Sequence, residues 1–212
     1  MRTAGATAAR HITKARQTSQ LLMSAYPPGA APRDPVSPVT LEAGQTARVT
    51  RPTARFMLGH PARAIALGFG SGLSPVSPGT VGTLYGWLSF VVISMWIEPS
   101  TWLWIIAGGF LVGIWACMRT ARDMGVYDHG SMVWDEIVAF WLVLLFVTPT
   151  GFWGQFAAFL WFRLFDIAKP APIAYYDRTL KGPGLLGAFG VMFDDIFAAF
   201  YTLLVFALWR SL

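Results

Sequence analysis

Nine carboxylates follow residue 63: Glu98, Asp123, Asp128, Asp135, Glu136, Asp166, Asp177, Asp194 and Asp195. Two adjacent pairs, Asp135-Glu136 and Asp194-Asp195, are expected to open two of the most apolar stretches in the chain. A charged acid at mid-membrane depth costs about 2.5–3.5 kcal/mol on insertion scales. One side chain is enough to cap a helix, so capping accounts for a single acid and leaves the doubled acids unexplained. Asp128 precedes Asp135 by seven residues, close to two turns, so a helix that begins early would carry both on one face. Carboxylates gathered in one region repel each other, and a bound cation relieves the repulsion. Asp128, Asp135, Glu136, Asp194 and Asp195 are therefore candidate metal ligands. An oxygen-rich set with one nearby histidine points to magnesium or manganese and away from zinc. Asp128 and Glu136 are also candidate proton acceptors, and His129 is a candidate general acid or base.

The basic residues nearby suit an anion. Arg163, Asp166 and Lys169 recur at i, i+3 and i+6, along one face of a helix and its end. Arginine offers a forked donor that matches a phosphate group. The stretch 68–82 (GFGSGLSPVSPGTVG) is rich in backbone N–H groups and hydroxyls ahead of a helix, where an anion can be received. It is not a nucleotide-binding P-loop, because no Gly-Lys-Ser/Thr follows. Arg163, Asp166, Lys169, Ser71 and Thr80 are the substrate-binding candidates. The single cysteine, Cys117, lies in an apolar run and supports neither a disulfide framework nor a thiol-phosphatase motif, since Asp123 stands where Cys-x5-Arg needs its arginine.

The elements that position these residues are apolar. Of 212 residues, 55% are hydrophobic and 13% charged, whereas about a quarter of a soluble domain is charged. Apolar blocks run over 83–97, 102–118, 132–148, 152–168 and 191–209. Most fall at or slightly below the length of about 17–20 residues that spanning requires. The expected fold is all-α: a polytopic membrane bundle of about four to five hydrophobic helices, since helices are the open-ended way to satisfy a backbone in hydrocarbon. The connections 98–101 and 149–151 carry no Lys or Arg, while Arg119, Arg122, Lys169, Arg178 and Lys181 lie in the other two. Lys/Arg bias marks the cytoplasmic side, which places the acids there and leaves Arg210 as the exception. Trp96, Trp102, Trp104 and Trp153 are expected to form an aromatic belt at the opposite interface.

Residues 1–55 read as a disordered, basic, Pro/Ala/Thr-rich tail, either a flexible cytoplasmic extension or an upstream start with Met57 as initiator. Residues 56–212 form the membrane domain. Nine of the 16 basic residues precede residue 64, and the body beyond carries seven against nine acids. A nucleic-acid partner needs a basic patch on a folded surface, so none is expected.

Four blocks together carry a family resemblance: Phe69–Gly82 (FGSGLSPVSPGTVG), Asp128–Glu136 (DHGSMVWDE), Phe162–Ile173 (FRLFDIAKPAPI) and Gly190–Asp195 (GVMFDD). In this order and spacing the chain resembles phosphatidylglycerophosphatase A from Phe69 to its C-terminus. The resemblance implies a magnesium-dependent phosphatase of the bacterial inner membrane, acting on the phospholipid phosphatidylglycerophosphate to give phosphatidylglycerol. It also implies metal and catalytic roles for Asp128, Asp135, Glu136, Asp194 and Asp195, supported by Arg163, Asp166 and Lys169. Ala171, and the stretch 181–190, depart from the usual pattern of the family. Another lipid-phosphate enzyme is the nearest alternative, but the Asp-Gly-x2-Ala-Arg signature of CDP-alcohol phosphatidyltransferases fails at Cys117-Met118. A transporter would need polar residues through the bilayer, whereas these acids gather towards one face.

Overall fold

The computed structural model describes residues 51–126, 128–169 and 184–211. Most of the expected tail lies outside these residues, as do Ala171, Asp177, Arg178 and Lys181. Among the described residues every regular element is helical. Two short helices, α1 (Ala54–Leu58) and α2 (Pro61–Ala66), lead through a 3₁₀ segment (Gly68–Leu73) into five longer ones. These are α3 (Pro78–Ile93), α4 (Pro99–Met124), α5 (Trp134–Val147), α6 (Phe152–Ala168) and α7 (Leu185–Ser211). The boundary drawn at residue 55 falls inside α1, whose first turn is capped by the Thr53 hydroxyl accepting the Phe56 N–H.

Local signals set the helix ends. Pro78 and Pro99 occupy first helical positions, where a missing N–H leaves no bond unmade. Gly125 closes α4 in the left-handed conformation, at φ 67°. Lys169 closes α6 in the same region at φ 39°.

Helix α5 is the centre of the bundle. Ile137, Val138, Ala139, Phe140, Val143 and Leu144 are fully buried, as expected of a helix that is apolar all round. It packs against α3, α4, α6 and α7. Close approach of α3 depends on small residues: a Cβ on Gly86 would stand 3.2 Å from the Ile137 Cα. The outward faces are also apolar, with Leu84 and Leu88 exposed on α3, Leu103, Trp104 and Leu111 on α4, and Leu204 and Leu208 on α7. Such an apolar jacket belongs against lipid rather than water.

Helices α4 and α7, with 26 and 27 residues, are long and apolar enough to cross a membrane. The other three have 16, 14 and 17 residues, short of the roughly 20 that spanning takes. Among the described residues the bundle thus has five longer apolar helices, of which two have spanning length. Helix α5 packs against four of the other helices along most of its length.

Three sequence expectations change. The segment around Asp194-Asp195 does not start at residue 191: α7 begins at Leu185, so this pair lies about 15 Å along the helix. Asp128 is not on the face of an early-starting helix, since α5 begins at Trp134 and Asp128 sits in the preceding loop. Trp102 is not interfacial. It is buried, stacked on Phe90 at 4.3 Å, and donates from Nε1 to Ser94 Oγ at 3.0 Å. Trp96, Trp104 and Trp153 are exposed as expected. The exceptional Arg210 donates to the Val147 carbonyl at 3.3 Å, satisfying the C-terminal end of α5.

Candidate metal centre and active site

Asp135 and Glu136 occupy the first turn of α5. Asp195 reaches them from α7, the helix in closest association with α5. One oxygen from each of the three carboxylates lies within 4.8 Å of the others. Asp195 is 4% exposed and Asp135 8%, so these charges face protein rather than bulk water. Asp135 Oδ1 accepts the Glu136 N–H at 3.0 Å. Two further oxygens, Glu136 Oε2 and Asp195 Oδ2, are buried with no hydrogen-bond partner. A buried polar atom left without a partner is rare and calls for an explanation.

The basic residues come from the far end of α6 and close the site. Arg163 Nη1 pairs with Glu136 Oε1 at 3.4 Å and forms an ion pair with Asp166 one turn further on. The same nitrogen donates to the Thr83 hydroxyl at 3.4 Å, which brings α3 into the site. Arg163 Nε is buried and unpartnered. Lys169, held at the end of α6 in its left-handed conformation, forms an ion pair with Asp194 of α7. Asp194 therefore turns towards α6, while its neighbour Asp195 turns towards α5.

Other candidates from the sequence lie elsewhere. Asp128 is exposed, although near enough for its charge to be felt at Asp135. His129 Nδ1 accepts the Ser131 N–H at 3.1 Å, which commits that nitrogen to the loop. Partial burial holds its imidazole below the usual range, against the opposing pull of Asp128. Ser71 donates to the Gly68 carbonyl at 2.8 Å and Thr80 bonds Ser77 at 2.9 Å, so both hydroxyls serve their own turns. The Gly/Ser/Pro segment does reach the site, but through Gly79, joined by Thr83 just beyond it. A Cβ at Gly79 would stand 2.1 Å from Glu136 Oε1 and 3.1 Å from Arg163 Nη2. Sequence reasoning passed over both residues; their four-residue spacing on a helix start was the available signal, and it favours neither over Ser71 or Thr80.

The donor set fits a hard divalent cation. Among the described residues five acids, Asp135, Glu136, Asp166, Asp194 and Asp195, gather with the two cations Arg163 and Lys169, a formal excess of three negative charges within that set. Buried charge of one sign is costly unless it is paired or coordinated. The all-oxygen trio, with an orphaned oxygen on each of its members Glu136 and Asp195, offers the kind of ligands a hard divalent cation takes. A cavity of about 540 Å³ lined by Phe90, Trp102, Leu145 and Gln155 opens at the other end of the bundle, away from the acids.

The model of the family described as phosphatidylglycerophosphatase A matches residues 64–210. The chain belongs to that family. It is 41% identical over 154 residues to phosphatidylglycerophosphatase A of Haemophilus influenzae, covering 73% of this chain and 91% of the relative. The Escherichia coli phosphatidylglycerophosphatase A is 40% identical over 146 residues, covering 68% of this chain and 81% of the relative. A Bacteroides thetaiotaomicron protein provisionally named a phosphatidylinositol-3-phosphatase is 34% identical over 152 residues, covering 69% and 91%. No solved structure matches the chain. The matched family region contains the whole acid cluster, Arg163 and Lys169, and starts just after α2 begins.

Proposed function

We propose that the chain removes the terminal phosphate of phosphatidylglycerophosphate, giving phosphatidylglycerol and inorganic phosphate in phospholipid biosynthesis. The observation that carries this reading is the buried Asp135–Glu136–Asp195 trio, with orphaned oxygens, next to an arginine. The names of the Haemophilus influenzae and Escherichia coli relatives supply the substrate of this reading.

Asp135, Glu136 and Asp195 would hold magnesium, with Asp194 and Asp128 close by. A bound magnesium ion supplies Lewis acidity, lowering the pKa of water and offsetting charge on phosphoryl oxygens. The chain's own residues do the rest. Arg163 presents forked donors to the phosphate, and Lys169 adds a point charge. Glu136, a member of the trio paired to Arg163, would take a proton from the attacking water, with Asp128 as the outer acceptor. His129 belongs to the loop that brings Asp128 to this side.

Membrane placement follows the charges. Arg119, Arg122 and Lys169 lie at the acid-bearing end, and Glu98 with the exposed Trp96, Trp104 and Trp153 at the other. A multi-pass arrangement in the bacterial inner membrane, with the site open to the cytoplasm, fits this distribution.

The test is phosphate release from phosphatidylglycerophosphate by the full chain in detergent, with and without magnesium. Release is expected to need magnesium and to fall by about 10²–10⁴-fold in Asp135→Asn, the range typical of losing a catalytic acid–base or charge-stabilising group. No release by folded wild type with magnesium present would sink the reading. Preference for phosphatidylinositol 3-phosphate over phosphatidylglycerophosphate would replace the substrate and keep the chemistry.

A further inference from the structure

Thr83 lies on α3 one turn after Gly79 and is fully buried. Its hydroxyl donates to the Gly79 carbonyl at 2.9 Å. That bond uses its only proton, so towards any other group the oxygen can only accept, through its lone pairs. The donor is Arg163 Nη1, at 3.4 Å and eighty residues away in sequence. Back-bonding of a threonine to the carbonyl four residues earlier is ordinary in helices. A second bond to a buried guanidinium on another helix is not needed for that local role.

The first turn of α3 forms a wall for the same pair. Gly79 leaves space that Glu136 Oε1 and Arg163 Nη2 occupy. Among the described residues the other side-chain partners of Arg163 are carboxylates, Glu136 on α5 and Asp166 on α6. Thr83 adds a neutral contact from α3 to the same Nη1 that meets both carboxylates.

We propose that Thr83 is a positioning residue: its buried hydroxyl fixes the Arg163 guanidinium between α3 and the carboxylates, in the orientation that receives a phosphoryl group. The kinetic part rests on the phosphatase reading above; the Thr83–Arg163 link does not.

The experiment compares full-length wild type, Thr83→Val and Thr83→Ser in detergent. Valine keeps the shape and loses the hydroxyl, and serine keeps the hydroxyl. For Thr83→Val, the inhibition constant of inorganic phosphate and the KM for lipid phosphate should each rise about tenfold, the low end for a hydrogen bond to a charged group. Thr83→Ser should stay within about threefold of wild type. Manganese affinity, read by paramagnetic resonance, should stay unchanged in both variants, since Thr83 touches no acid of the trio. Unchanged phosphate inhibition in Thr83→Val, or equal losses in both variants, would overturn the proposal. So would a parallel loss of manganese binding, which would report general damage. A second measurement is independent of turnover. The melting-temperature drop caused by Thr83→Val should shrink in an Arg163→Gln background if the two residues are linked, and additive drops would refute the link. Should wild type release no phosphate, the phosphatase reading fails and this melting comparison still decides the link.

Discussion

Three carboxylates and one guanidinium make the centre of this protein, and their roles differ although their types are alike. Asp194 and Asp195 are adjacent, yet one meets Lys169 of α6 and the other meets Asp135 and Glu136 of α5. Successive helical residues point about 100° apart, so a pair of acids on one helix serves two partners. Asp195→Asn should therefore weaken manganese binding by at least about 100-fold, beyond the usual effect of losing an outer-shell partner. Asp194→Asn should weaken it less, because it removes the partner of Lys169. Titration of each variant with manganese checks this, and equal losses would show that both acids ligate the ion. The acid pairs themselves could be picked out from residue type, since so many carboxylates in an apolar chain demand a cation. Their division of labour could not, because it depends on which helix lies on each side of α7.

At the level of the helices, α5 carries two jobs. Its first turn presents Asp135 and Glu136, and the remainder fills the core between four neighbours. The rest of the bundle packs its inner faces on α5 and turns apolar outer faces away from it. Phe140 is fully buried there, against Phe159 and Phe162. Phe140→Ala should cost about 3–5 kcal/mol, the range for deleting a buried aromatic ring. Leu103→Ala, on the exposed face of α4 at 53% exposure, should change stability little, since lipid or detergent replaces the lost contact. Thermal unfolding in one detergent would compare them, and equal effects would contradict the central position of α5. The apolar blocks located all five helices, with ends off by as much as six residues, and gave α6 its end residues, 152–168. It missed the early start of α7 because residues 185–190 (LLGAFG) include two glycines, which read as loop until packing supports the helix.

For the whole molecule, the alternating direction of α3 to α7 puts the starts of α3 and α5 and the end of α6 together. Arg163 contacts confirm this closure across three helices. The acid end is also where α2 is fastened to α4: Arg63 pairs with Asp123 at 2.9 Å and Arg119 joins at 3.2 Å. The connection at 98–101 lies at the other end. In a Cys117→Ala background, cysteines at Ser100 and Arg122 should react with an impermeant thiol reagent from opposite sides of the membrane. Reaction of both from the same side would exclude a spanning α4 and the orientation drawn from the charges.

The linear order of residues settled the class of this protein. Its apolar blocks called for helices, which the bundle has, while the expected hard cation and the expected direction across a bilayer are readings of residue chemistry taken singly or in short runs. Which acids share an ion, and which small residues admit the arginine, depended on contacts between helices far apart in sequence. Gly79 and Thr83 matter because α5 and α6 pack against the first turn of α3, and Ser71 and Thr80, equally polar in the sequence, face their own turns instead. Proximity of that kind is produced by packing, and no local pattern of residue types encodes it.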